Sequence, residues 1–278
     1  MNVAVATSYM SGDFKEVFPD LSVIGSEENI PKDLDLLILT GGGDISPARY
    51  GEHLEGSYGI SEERDEDEFN IMRKAFYLNP EMKVLGSCRG LQLLNVFFGG
   101  SLFQSLDSNG MSHPGIHRII FHLETPLSFL DHVNSLHHQG VKSLGTDVNL
   151  PACIVASEPK TGIPEIVCWG DRALGVQFHP EMFYGDLNSK FFEVIKAWVN
   201  GELTIIPESV LDEFDSDDDI EEIEDGIQEA VASPNPVVVD FNNLEEGVLT
   251  FTTTTNQVVY NWGTFPPPDV QEGENNAD

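Results

Sequence analysis

Apolar and polar positions come in alternating blocks along the first 200 residues. Short apolar runs at Val3 to Ala6, Leu34 to Thr40 and from Val84 onward are separated by stretches with helical spacing. Runs of this kind are what strands look like when both faces are buried under helices. The helix that follows Val84 carries Leu91, Leu94 and Phe98 on one face, and a helix with Asp186 as its N-cap carries Leu187, Phe191, Val194, Ile195 and Trp198 on its inner face. Between them, segments at His117 to His122, His132 to His138 and Ala152 to Ser157 read as strands or strand edges. Glu165 to Trp169 and Ala173 to Phe178 read as the arms of a hairpin turning at Gly170-Asp171-Arg172. The alternation predicts an α/β domain with a largely parallel central sheet flanked by helices.

The pattern changes after Gly201. All 14 Lys and Arg residues fall at or before Lys196, whereas Glu202 to Asp278 holds 20 of the 47 acidic residues and no basic one. We expect a body over 1–200, an acidic linker over 201–235 and a small β-rich or partner-ordered tail over 236–278. Apolar runs near Val237 to Phe241, Gly247 to Phe251 and Gln257 to Trp262 supply the tail's strands. Such strands could also add to the sheet edge of a partner or a larger assembly. A formal charge of −33 leaves no basic patch for a phosphate backbone, which argues against nucleic acid. Three cysteines, no apolar run long enough to span a membrane and no secretory leader point to a reducing, cytoplasmic setting.

Candidate chemistry centres on the break between the Val84 run and its helix, Gly86-Ser-Cys88-Arg-Gly90. Glycines on either side of the thiol permit a sharp turn and close helix-strand packing. A thiol at a helix N-terminus faces unpaired N–H groups, which favours the thiolate. Cys153 and Cys168 lie in apolar runs and read as packing residues. Three glycines at the end of the Leu34 run, Gly41 to Gly43, form either a flexible turn or a loop whose amides can meet an oxyanion. His179-Pro-Glu181, at the end of the hairpin, places an acid two residues from an imidazole and fits an oriented base. The acidic run Ser61 to Glu68 reads as a solvated helix start. The histidines between 117 and 138 lack the spacing of a zinc site.

Taken together, Gly-Gly-Gly-Asp44-Ile-Ser-Pro-Ala-Arg-Tyr50, Arg64-Asp65, Gly-Ser-Cys88-Arg-Gly-Leu-Gln92, Val133-Asn-Ser-Leu-His-His-Gln139 and Gly175-Val-Gln-Phe-His179-Pro-Glu181 resemble class I glutamine amidotransferase-like proteins. The γ-glutamyl-GABA hydrolase branch is the nearest match. The chain departs from that branch at Ser157 to Pro164. The resemblance implies a flavodoxin-like sheet and a small γ-glutamyl substrate. It implies Cys88 as nucleophile, His179 as general base and then acid, and Glu181 as its support. Backbone amides at Gly42, Gly43 and Arg89 would form the oxyanion hole, with Gln92 near the glutamyl end. His137 and His138 would either touch substrate or serve as satisfied structural histidines. No metal or organic cofactor is implied. Two other readings share the fold: a glutaminase unit passing ammonia to a synthetase, and a structural protein held in an assembly by its tail. Assembly into a homo-oligomer stays open.

Overall fold

The computed structural model describes residues 1–147, 150–207, 210, 238–240, 248–252 and 257–261. Its elements in chain order are β1 (Val3–Val5), α1 (Ser11–Val17), β2 (Ser22–Val23), β3 (Leu36–Leu39), α2 (Glu62–Leu78), β4 (Lys83–Ser87) and α3 (Arg89–Phe97). There follow β5 (Ser101–Phe103), β6 (Gly115–Arg118), β7 (Ile120–Phe121), β8 (His132–Ser135), β9 (Gly140–Ser143), β10 (Ala152–Ser157), β11 (Pro164–Trp169), β12 (Ala173–Val176) and α4 (Asp186–Val199). Eight strands form one sheet in the order β2-β1-β3-β4-β12-β11-β10-β7. From β2 to β12 neighbours run parallel, and from β12 outward they run antiparallel. The β11–β12 pair is the hairpin expected from the apolar pattern. It inserts β12 beside β4, with Val176 opposite Ser87 and Gly175 opposite Gly86.

Alternate residues of the central strands feed two cores. Val3, Val5, Leu36, Ile38 and Leu85 pack with Phe14 of α1 and with Phe191, Phe192, Ile195 and Trp198 of α4. Ala4, Leu37, Leu39 and Val84 pack with Phe69, Ile71 and Met72 of α2 and with Leu91 and Leu94 of α3. Burial on both faces explains why these strands read as nearly continuous apolar runs. The layers put the C-terminal ends of the parallel strands, and the loops leaving them, at one edge of the sheet, where ligands of open α/β folds bind.

Three local expectations need correction. Strand β4 continues through Gly86 to Ser87, and the chain breaks only at Cys88. Helix α4 is capped by Gly185 at φ 59°, with Asp186 as its first residue, because the turn after Tyr184 needs a left-handed residue. The body also extends past Gly201: Ile205 and Ile206 are buried in the α1–α4 core, with Leu203 and Val210 packed against it, and the compact unit runs to Phe214. The boundary at 200 is therefore too early.

A second unit, Asp215–Asp278, holds an antiparallel three-stranded sheet of β13 (Val238–Asp240), β14 (Val248–Thr252) and β15 (Gln257–Asn261). The acidic run Asp212 to Asp225 lies outside the described residues. Ending the chain after Gly201 removes two isoleucines whose burial is worth about 1.5–3 kcal/mol each, whereas ending it after Phe214 spares them. Thermal melts should show a clear loss of Tm for the shorter chain and little change for the longer one.

Candidate active site

Cys88 is the hinge residue between β4 and α3, with φ 52° and ψ −105°. A non-glycine residue in that region is strained, by roughly 1–3 kcal/mol, and persists only where its surroundings enforce it. Here they do. The Cys88 amide donates to the Val176 carbonyl at 2.8 Å, fixing the turn to β12. A Cβ on Gly90 would stand 2.1 Å from the Leu39 carbonyl oxygen, and one on Gly86 would stand 2.5 Å from the Gly90 carbonyl, so α3 approaches the sheet at backbone contact.

Arg89 is 2% exposed, and its side chain pairs with Asp65 and with Glu68, both fully buried. Glu68 also takes the Arg64 Nε–H at 2.9 Å and the Thr7 hydroxyl at 3.0 Å, and Asp65 takes the Ser46 amide at 2.8 Å. The acidic run at the head of α2 is therefore not simply a solvated helix start, since two of its carboxylates anchor the residue next to Cys88. Their partner lies more than 20 residues further along the chain, out of reach of any local pattern.

The imidazole of His179 is buried, and its Nδ1 lies 2.7 Å from Oε1 of Glu181. The other carboxylate oxygen of Glu181 accepts the Ser87 hydroxyl at 3.0 Å. The backbone of His179 is held at both ends by Asn134, which accepts its N–H and donates to its C=O, each at 2.8 Å. Burial opposes the charged form of the His179 ring. Hydrogen bonding and charge from Cys88 and Glu181 outweigh that and push its pKa up to about 10. Cys88, His179 and Glu181 thus converge, drawn from β4–α3 and the end of β12. Asn134 lies in one of the resembling motifs and supports the site, whereas the role of Ser87 beside Glu181 carries no local signal until its partner is in place.

The glycine loop lies against this group. A Cβ on Gly41 would stand 2.6 Å from Cε1 of His179, and the Gly41 carbonyl accepts from Arg64 at 3.0 Å. Among the described residues no protein acceptor meets the amide N–H of Gly42, Gly43 or Arg89, so these donors are free to meet a developing oxyanion.

Gln92 is buried one turn along α3, and its Nε2 donates to the Gln139 carbonyl at 3.2 Å and to the Gln177 side chain at 3.3 Å. The two neighbouring histidines part company. His138 stacks on Tyr58 at 4.1 Å and binds Asp44 through Nε2 at 2.7 Å, bracing the loop after Gly43. Burial raises the Asp44 pKa, with the Tyr58 amide and His138 pulling against it. His137 turns inward, with Nδ1 donating to the Gln139 carbonyl at 2.8 Å. It joins the half-buried His113 and His117 and the buried Glu165 in one cluster, which the sequence alone did not assemble because His137 and Glu165 lie far along the chain from the other two. Burial raises the thiol pKa values of Cys153 and Cys168, in keeping with packing roles.

The arrangement suits attack by a thiol on an acyl carbon beside preset donors. Comparison with known proteins agrees with that chemistry: the Peptidase C26 pattern matches residues 17–181. The chain belongs to the Peptidase C26 family. The glutamine amidotransferase-like protein YvdE of Lactococcus lactis is 34% identical over 213 residues, covering 67% of this chain and 87% of its own. A Schizosaccharomyces pombe protein assigned as a glutamine amidotransferase is 33% identical over 187 residues, covering 59% and 67%. Among solved structures, a Thermoplasma acidophilum protein assigned to GMP synthase superposes with a TM-score of 0.53 at 18% identity. It covers 73% of this chain and 95% of that one, and shares the fold. Among the described residues no helix is long and apolar enough to cross a membrane.

The elevated pKa of His179 gives a signed prediction. A ring that keeps its proton to about 10 rather than 6.5 adds stability that is complete below 6.5 and is lost as pH rises through 10. In Glu181→Gln the facing negative charge is gone, so the ring should deprotonate at lower pH. NMR titration of the His179 ring protons should show the midpoint moving down toward 6.5, and an unmoved midpoint would deny Glu181 that influence.

Proposed function

We propose that this Peptidase C26 protein hydrolyses γ-glutamyl amides through a γ-glutamyl thioester on Cys88, in the manner of the γ-glutamyl hydrolase branch. The observation that carries this reading is the strained Cys88 turn beside a His179 ring backed by Glu181 at 2.7 Å. The Cys88 thiolate attacks the amide carbonyl, and the oxyanion lies toward the amides of Gly42, Gly43 and Arg89. His179, charged at neutral pH, gives its proton to the departing amine as the C–N bond breaks. It then takes a proton from water, which attacks the thioester and releases glutamate and the free thiol. Glu181, held by Ser87, keeps the ring oriented and supports its charge.

Gln92 acts by positioning, since its nitrogen is committed to Gln139 and Gln177. His138 supports the glycine loop through Asp44, and His137 supports the Gln139 backbone that holds Gln92. Tyr9 and Tyr58 are exposed. Tyr9 packs on Arg64, and Tyr58 packs on His138. Each is thus packed on a residue that holds the glycine loop, and the two offer apolar surface for an amine half larger than ammonia.

The test is a release assay with glutamine, γ-glutamyl-GABA and γ-glutamyl peptides, using Cys88→Ala, His179→Ala and Glu181→Gln. The proposal predicts turnover of γ-glutamyl amines without any added synthetase. Cys88→Ala and His179→Ala should lose at least about 10³-fold in kcat, with a milder loss in Glu181→Gln. Turnover by Cys88→Ala at the wild-type rate would remove the mechanism, and turnover of free glutamine alone would favour an ammonia-donating unit.

A further inference from the structure

Away from Cys88, three histidine side chains converge on one carboxylate oxygen. The Oε1 atom of Glu165, on β11, has Nε2 of His113 at 3.2 Å, Nε2 of His117 at 3.3 Å and Nε2 of His137 at 3.8 Å. Glu165 is fully buried and the His137 side chain is 1% exposed. The His113 ring lies 4.8 Å from that of His117 and 5.0 Å from that of His137, centroid to centroid.

Hydrogen bonding fixes which nitrogen carries the proton. A carbonyl can only accept, so the Nδ1 contacts of His113 to Met111 at 2.7 Å and of His137 to Gln139 at 2.8 Å place N–H at both Nδ1 atoms. In the neutral rings the Nε2 lone pairs then point at the carboxylate. Lone pairs facing a carboxylate repel it unless something positive lies between. A second proton on His113 would answer one contact. It would leave both ring nitrogens of His117, Nε2 of His137 and Oε2 of Glu165 buried without hydrogen bonds, which is costly.

We propose that His113, His117, His137 and Glu165 bind a divalent transition-metal ion of the zinc class. The geometry favours this occupant. Metal–ligand bonds of about 2.1 Å in a tetrahedron put the ligand atoms about 3.4 Å apart, and the three carboxylate–imidazole separations bracket that length at 3.2, 3.3 and 3.8 Å. The donors of His113, His117 and Glu165 all lie within 4.8 Å of one another. Three imidazoles and one carboxylate favour a transition ion over calcium or magnesium, which take oxygen ligands. Backbone carbonyls behind two of the rings are the outer partners that orient histidine ligands.

Four protein ligands make a closed site, so the ion's role is structural. It ties the segment before β6 and the loop after β8 to β11. The Gln139 carbonyl joins it to the catalytic helix, since that oxygen accepts from both His137 and Gln92.

The test uses the full chain stripped with chelator and titrated with cobalt(II), whose visible bands report four-coordinate binding. The proposal predicts one cobalt per chain. Affinity should fall at least about tenfold in His117→Ala and in Glu165→Gln, and be unchanged in Cys88→Ala. Because either of the first two variants could fail to fold, zinc-edge anomalous diffraction on crystals of the unaltered protein soaked in zinc provides a second measurement, with the peak expected among these four side chains. The proposal is overturned by absence of four-coordinate bands in the wild type, by bands that survive both ligand variants, by bands lost in Cys88→Ala, or by crystals without a peak at the cluster.

Discussion

The turn at Cys88 is the constraint on which the rest of the site depends. A residue with a side chain sits at φ 52°, where only enforced geometry keeps it, and every neighbouring element contributes to the enforcement. Strand β12 takes its amide hydrogen. Glycine at 90 lets α3 rest on the Leu39 carbonyl at backbone contact, which the tight turn requires. The antiparallel hairpin that delivers β12 also ends at His179, so the same insertion that braces the turn brings the imidazole to it.

The charged groups around the turn extend that bracing to the loops. Arg89, Asp65, Glu68 and Arg64 form a buried network in which opposite charges face one another, and Arg64 reaches on to the carbonyl of Gly41. Breaking a buried pair of this kind by removing one member typically costs about 3–5 kcal/mol, because a charge is left without compensation. The network joins α2, α3 and the glycine loop into one piece. His138 and Asp44 hold the far side of that loop. Donors poised for an oxyanion need this rigidity, since their value lies in being in place before charge develops.

What could be read from the sequence was local or periodic. The buried strands showed as apolar runs, the elbow as glycines two positions either side of a cysteine, and the triad's second half as His179-Pro-Glu181. Contacts that join distant segments were not readable. Asp65 and Glu68 looked like ordinary helix-start acids until Arg89 was seen between them. Ser87 gains its meaning only from Glu181, and Asn134, though part of a recognisable motif, shows its particular task only against the backbone of His179. In the cluster around Glu165 only His113 and His117 carry a ligand-like spacing, His-x-x-x-His, and nothing along the chain ties that pair to His137 or Glu165. Ile205 and Ile206 sit in a short apolar stretch after the last helix, and only the α1–α4 core shows that they close it.

The central claim is that the fold makes one of three thiols chemically distinct. Treating the native protein with a glutamine-mimicking diazo-ketone, followed by peptide mass spectrometry, tests it most directly. The account predicts a single adduct on Cys88, with Cys153 and Cys168 unmodified behind their apolar surroundings. Equal labelling of the three thiols, or an adduct elsewhere with Cys88 untouched, would contradict it.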